Sequence, residues 1–130
     1  KGRLTVADVT VDHNRTGLTA MGRAELTDFT AHDNGNYGAH ASSTLVGTNV
    51  VTIDNGGDGL SAGKLKLSGL TATGNATTGI NATHAVVRDG TLTGNGVDVY
   101  TVYRPRLVDS TCGTSQQAGT SNTWSVCTSD

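Results

Sequence analysis

Carboxylate and imidazole side chains recur at intervals of about 20 residues along the chain. They come one or two residues before regularly spaced asparagines, at Asp12, His13, His32, Asp33 and Asp54. Such groups, held together, can act as general acids and bases, and carboxylates can bind Ca²⁺. The candidate catalytic residues are therefore Asp12, His32, Asp33 and Asp54. Ca²⁺ is a candidate cofactor without an assigned ligand set, and the alternative is an ordinary solvated surface.

Basic residues occupy a second repeated position, eleven residues before each asparagine. The residues at this position are Arg3, Arg23, Thr44, Lys64, His84 and Arg104. Cations that repeat at strand spacing could follow an anionic polymer such as a polyuronate through salt-sensitive contacts. The candidate substrate-binding residues are Arg3, Arg23, Lys64 and Arg104. The alternative is that these cations only keep exposed strands soluble and unpaired.

Threonine dominates a third repeated position, four residues before each asparagine. The residues there are Thr10, Thr30, Val51, Thr71, Thr91 and Thr111. Threonine is favoured on exposed strands, which is the simplest explanation. Regular threonine arrays are also typical of ice-binding solenoids, so ice binding is kept as an alternative function.

The asparagines themselves indicate the elements that position these side chains. Asn14, Asn34, Asn55, Asn75 and Asn95 are separated by 20, 21, 20 and 20 residues, and Ser115 falls a further 20 residues on as the expected sixth anchor. Apolar residues recur ten, eight, five and three residues before each anchor, and this alternation is typical of strands. No window shows the helical period, so the pattern predicts a parallel β-solenoid of about six coils, roughly 20 residues each.

The anchor asparagines have a predicted structural role. We expect them in a turn of left-handed backbone conformation, with side chains hydrogen-bonded from coil to coil. Three Asn-Gly dipeptides, beginning at Asn34, Asn55 and Asn95, are also typical of β-hairpins. An antiparallel meander is therefore the alternative fold, although it would not require the same apolar offsets in every unit.

The repeat resembles the right-handed parallel β-helix repeats of the pectate-lyase-like superfamily. Residues 26–34 and 67–75 carry the resemblance, which covers about residues 3 to 115. It implies a single-stranded right-handed β-helix. The superfamily includes polysaccharide lyases, glycoside hydrolases, epimerases, phage tailspikes and surface proteins, so the resemblance implies a fold more specifically than an activity.

The two ends of the chain differ in composition. Residues 1–115 are predicted to form the coils and residues 116–130 a C-terminal cap, which contains the only tryptophan, Trp124. A disulfide between Cys112 and Cys127 would close a loop of 15 residues and would indicate an oxidising compartment, whereas two buried free thiols are the alternative. No similar cap is evident at the N terminus, so upstream sequence or self-association through the first coil is expected to cover it.

Composition limits the partners. The formal net charge is -2 and only 4% of residues are aromatic, so a nucleic-acid partner is not expected. No run approaches the roughly 20 apolar residues of a membrane span. The prediction is a secreted or cell-surface module that binds extracellular, anionic polysaccharide. The alternatives are a lyase or epimerase acting on uronides, and a structural or adhesive segment of a larger surface protein.

Overall fold

The computed structural model describes residues 2–130, and this part of the chain consists of strands and turns without a helix. The strands are β1 (Arg3–Asp12), β2 (Leu18–Ala20), β3 (Arg23–His32), β4 (Ala39–Ile53), β5 (Leu60–Thr73), β6 (Thr78–Arg88), β7 (Thr91–Thr93), β8 (Val97–Thr101), β9 (Arg106–Val108), β10 (Thr111–Cys112) and β11 (Ser115–Gln117). Residues 2–130 therefore contain no helix that could cross a membrane.

Every strand pair is parallel, and each strand pairs with the strand one coil further along the chain. The main path runs β1-β3-β4-β5-β6-β8-β11, with the short strands β2, β7, β9 and β10 paired alongside it. Leu45, for example, lies between Ala24 and Leu65. Six stacked turns result, which confirms the predicted all-β parallel solenoid and excludes the antiparallel meander.

The core is a column of aliphatic side chains, as the apolar offsets predict. Because side chains alternate across a strand, every second residue points inward. The largest of these, Phe29, is fully buried, and Leu45, Leu60 and Leu70 are at most 1% exposed. The inward residues of one coil stack on those of the next, so the outward residues form matching columns on the surface.

Each coil has three faces. The first face comprises residues 3–7, 23–27, 44–48, 64–68, 84–88 and 104–108. The second comprises residues 9–12, 29–32, 50–53, 70–73, 91–93 and 111–112. The third comprises residues 18–20, 39–41, 60–62, 80–82, 99–101 and 115–117. These ranges follow the register of the paired strands.

Two columns of left-handed residues make the bends on either side of the second face. The first bend is formed by Asp8, Asp28, Asn49, Gly69, Asp89 and Asp109, all with positive φ. The second is formed by His13, Asp33, Asp54, Gly74 and Gly94. Asp, Asn and Gly tolerate this conformation better than other residues do. The anchor asparagines were expected to adopt it, and that prediction is wrong because the residue before each anchor makes the bend.

The anchor asparagines instead form a buried hydrogen-bonded ladder, as predicted. The Nδ2 of Asn34 donates to Oδ1 of Asn55 at 2.9 Å, and the Nδ2 of Asn55 donates to Oδ1 of Asn75 at 2.8 Å. Asn75 continues the ladder to Asn95 at 2.8 Å. Asn34, Asn55 and Asn75 are each 1% exposed. The ladder therefore satisfies polar groups in the interior, where an unpaired amide would be costly.

The ladder ends at Asp98 and not at Ser115, which corrects the predicted sixth anchor. Ser115 pairs with Val99 on the third face, because the sixth coil has a much shorter second turn. The Asp98 carboxylate occupies the space that this shortening opens. Its Oδ1 accepts from the backbone N and Nδ2 of Asn95, and its Oδ2 accepts from the backbone N of Gly113 and Thr114, at 2.7 to 3.1 Å.

The C-terminal segment forms hydrogen bonds along the last coil. Thr128 N donates to Cys112 O at 3.0 Å, and Ser129 N donates to Gly113 O at 2.7 Å. The Asp130 carboxylate accepts from Ser115, Val126 and Cys127. Burial opposes ionisation of Asp130, but these hydrogen bonds outweigh it and lower the pKa of the carboxyl below its ordinary value. Strand β11 continues to residue 117, two residues beyond the predicted start of the cap.

The first coil lacks such a covering among residues 2–130. Strand β1 pairs only with β3, and Leu4 is 37% exposed. Val6, Val9 and Val11 are partly exposed, although they pack against the core. Self-association through this coil stays a prediction.

Cys112 and Cys127 form the predicted disulfide, with their Cα atoms 4.9 Å apart. It links the buried end of the core to the C-terminal segment. We expect its reduction to lower the free energy of unfolding by about 3 kcal/mol, because the link restricts the unfolded chain. Urea unfolding followed by circular dichroism, with and without reductant, measures this loss. The Cys112→Ala/Cys127→Ala variant should match the reduced protein and be insensitive to reductant, whereas equal stability of the oxidised and reduced protein would contradict the prediction.

Candidate functional site

The predicted acidic and imidazole residues lie at the second bend, on adjacent coils. We name Asp12, His13, His32 and Asp33 the acid-histidine corner. His13 Nδ1 is 3.0 Å from Asp12 Oδ2, and His32 Nδ1 is 2.8 Å from Asp33 Oδ2. The two imidazole centroids are 6.3 Å apart, with ring planes at 83°. The structure therefore brings together Asp12, His32 and Asp33, three of the four candidate catalytic residues.

Asp54 lies on the next coil without a hydrogen bond or ion pair to the corner among residues 2–130. It follows Ile53, whose carbonyl accepts from the backbone N of Asp33 at 3.2 Å. Its φ is 52°, and that of Asp33 is also 52°. The bend thus accounts for both aspartates by backbone conformation alone. No group of three His, Cys, Asp or Glu side chains in the described chain is arranged to hold a metal ion, so Ca²⁺ gains no support here.

Seven of the chain's nine Lys and Arg residues lie on the first face, which we name the cationic face. They are Arg3, Arg23, Lys64, Lys66, Arg88, Arg104 and Arg106, and all are exposed. Glu25 is the one carboxylate within this face. The predicted basic column is therefore one part of a wider surface. Arg88 was missed because it lies seven residues before its anchor, and only the strand register shows that it points the same way.

The first two arginines of the cationic face are neutralised. Arg3 is ion-paired with Glu25 on the adjacent coil, and the Arg23 guanidinium contacts the other oxygen of Glu25 at 2.7 Å. The hydrogen bond from Arg3 lowers the pKa of Glu25, partly opposed by burial, and Arg23 lowers it further. Because both cations share one carboxylate, this end of the face presents less positive charge than the sequence suggests.

The other five cations form no ion pair within residues 2–130. These cations are Lys64, Lys66, Arg88, Arg104 and Arg106. Lys66 and Arg88 border a surface groove of about 430 Å³, together with Val46, Thr48 and Ser68. Lys64 and His84 border a second groove of about 340 Å³ on the same face.

An aromatic side chain flanks the second groove. Tyr103 is 56% exposed and stacks on His84 with ring centroids 4.5 Å apart. Sequence reasoning missed this pair, because residues 84 and 103 do not occupy equivalent positions of the repeat. Arg104 follows Tyr103, so charge and an exposed ring occur together at this edge.

The threonine column is interrupted. Thr71 pairs with Thr91 and Thr73 pairs with Thr93, which gives one regular patch on the second face. The preceding coil carries Val51 and Ile53 at these positions. The patch therefore spans two coils in both columns, which is a small area for recognising an extended surface such as ice.

The fold and surface define the chain as a parallel β-solenoid with one strongly basic face. No family model, curated protein or solved structure matches the chain. The coiled parallel architecture agrees with a β-helix. Membership of the pectate-lyase-like superfamily stays a prediction based on the repeat.

Proposed function

We propose that this solenoid is an extracellular module that binds an anionic polysaccharide along its cationic face. The observation that carries the proposal is the group of five cations without ion pairs at Lys64, Lys66, Arg88, Arg104 and Arg106. They lie on three successive coils and border two adjoining grooves. A single-sign patch of this kind favours a polymer with repeated negative charges.

The spacing of the cations suits a polymer with repeated charges. Lys66, Val86 and Arg106 occupy one column, so the two cations are about 10 Å apart across two coils. Arg88 lies on the coil between them, two residues further along its strand. The charged groups end flexible side chains, so they can adjust to a polymer, and each exposed contact contributes only modestly. Binding should therefore need several contacts and weaken with salt.

The extracellular location rests on the disulfide. Disulfides persist in oxidising environments such as the cell exterior and are rare in the cytosol. The cysteine pair is consistent with a secreted or surface protein and does not distinguish between these two locations.

The enzymatic alternative gains less support from the geometry. A lyase or epimerase would need a cation to hold the substrate carboxylate close to the catalytic base. Arg23 and His32 lie at opposite ends of the ten-residue strand β3. Lys64 is likewise separated from Thr73, its strand's equivalent of His32, along β5. The candidate base and the candidate substrate-binding residues therefore occupy different faces.

Charge reversal on the cationic face tests the proposal. We expect the Lys66→Glu/Arg88→Glu variant to bind immobilised polygalacturonate at least tenfold more weakly than the original protein at about 0.1 M salt, because two attractive contacts become repulsive. Surface plasmon resonance measures the affinity. Dextran, which is neutral, should bind neither protein.

The matched control carries the same change in net charge elsewhere. The variant Arg15→Glu/Ala76→Glu/Thr77→Glu adds four negative units at exposed positions in the turns between the second and third faces. It should retain most of the affinity. Equal loss in both variants would show a general charge effect, and retention of dextran would show that charge is not what is recognised. A rise in ultraviolet absorbance from unsaturated product would support the lyase alternative, with Asp33→Asn as the variant that should abolish it.

A further inference from the structure

We propose that the acid-histidine corner binds one divalent transition-metal ion, such as Zn²⁺, Ni²⁺ or Cu²⁺, through the Nε2 atoms of His13 and His32. The two histidines lie on adjacent coils at the second bend. Register places Asp12 beside His32, so the residue after Asp12 is a diagonal neighbour of His32. This site is separate from the cationic face and does not depend on polysaccharide binding.

The carboxylates orient both imidazoles. Asp12 Oδ2 lies 3.0 Å from His13 Nδ1, and Asp33 Oδ2 lies 2.8 Å from His32 Nδ1. A carboxylate accepts hydrogen bonds, so Nδ1 carries the proton in each pair and Nε2 keeps its lone pair. This is the arrangement in which a carboxylate holds a metal-binding histidine in the required tautomer and increases its basicity.

The separation of the rings fits a shared ion. Imidazole nitrogens bind zinc at about 2.0 to 2.1 Å, which places the centroids of two imidazoles on one ion roughly 5 to 6.5 Å apart. The observed separation is 6.3 Å. The His13 side chain is 74% exposed and that of His32 is 34% exposed, so an ion can reach both rings and His13 can turn towards it.

Local charge also favours a cation. Neither Asp12 nor Asp33 is paired with a lysine or arginine in the described part of the chain. Asp54 adds a third carboxylate on the next coil, directly after Ile53, the residue that pairs with His32. A bound divalent ion would therefore reduce the repulsion among these carboxylates.

The donor atoms determine the class of metal. Imidazole suits Zn²⁺, Cu²⁺ and Ni²⁺, whereas Ca²⁺ and Mg²⁺ prefer oxygen ligands. Residues 2–130 contain no third His, Cys, Asp or Glu arranged to complete a metal cage. The ion would therefore have two protein ligands, with water in its other positions, and would exchange readily.

Titration of the whole chain with ZnCl₂, without polysaccharide, tests the site. Isothermal calorimetry should show one saturable ion per chain. His13→Asn and His32→Gln should each weaken binding at least tenfold, since each removes one of two ligands. Asn suits the positive φ of 54° at residue 13, so the first variant keeps the bend. Asp12→Asn should weaken binding about 10- to 100-fold while both ligands remain.

His84→Asn is the control, because His84 is exposed on the cationic face, outside the corner. It should bind zinc like the original protein. Circular dichroism should show that every variant keeps the fold. The proposal is overturned if no saturable binding occurs, if His13→Asn and His32→Gln bind normally, or if sedimentation shows one ion shared between two chains.

Discussion

The Asp98→Asn variant should be less stable to unfolding than the original protein by about 4 kcal/mol. Asp98 is 2% exposed, and its carboxylate accepts four N–H groups from Asn95, Gly113 and Thr114. An asparagine amide has one acceptor oxygen and one donor NH₂ group. Whichever way the amide is turned, NH₂ faces two donors, so two of these groups lose their acceptor in the interior. Urea unfolding with the disulfide intact measures the loss.

The matched control is Asp89→Asn. Asp89 is exposed at the first bend and its side chain forms no hydrogen bond within residues 2–130. Its φ is 51°, and Asn49 occupies the equivalent position of another coil with φ 53°, so asparagine suits the site. Its stability should change by less than about 0.5 kcal/mol. Similar losses in the two variants would mean that Asp98 does not terminate the ladder in the way described.

The Asn55→Ala variant is expected to be destabilised by about 3 kcal/mol. The Asn55 side chain accepts from the backbone N of Asn34 at 3.2 Å and from its Nδ2 at 2.9 Å. It also donates to Ala31 O and to Asn75 Oδ1. Alanine leaves the groups on both neighbouring coils without these partners, and the site is too buried for free hydration. Thermal and urea unfolding followed by circular dichroism should both show the loss.

Asn14→Ala provides the comparison within the same column. Asn14 is exposed, and its side chain makes a single hydrogen bond, from Nδ2 to Asp12 O at 2.9 Å. Its removal should cost less than about 1 kcal/mol, because water can replace that bond. If Asn14→Ala and Asn55→Ala were equally destabilised, the effect would come from the turn conformation and not from the buried ladder.

These two sites show how the solenoid ends its polar column. Each asparagine needs a donor and an acceptor on the adjacent coil, so the ladder cannot stop in the interior without leaving an amide unpaired. Asp98 solves this because a carboxylate only accepts. It takes two hydrogen bonds from Asn95 and two from the shortened sixth coil. Termination therefore depends on one residue that breaks the repeat.

The repeat was readable from the sequence for a physical reason. A solenoid places equivalent residues of successive coils in contact, so each column experiences the same environment and selects similar side chains. The apolar columns, the asparagine ladder and the pairing of Cys112 with Cys127 all follow from such local rules. The left-handed position was assigned one residue too late, because Asn tolerates that conformation and also suits a buried ladder.

The sequence by itself thus determined the parallel β-solenoid, its coils, its core and the outward position of the basic column. Only the tertiary structure decided which charges are available. Arg3 and Arg23 are neutralised by Glu25, whereas Arg88 joins Lys66 beside a groove. It also separated the candidate base at His32 from the cations of the first face. The reason is that ion pairing, exposure and distance between faces depend on neighbours about 20 or more residues away, and a repeat pattern specifies which column a residue occupies but not what its side chain contacts there.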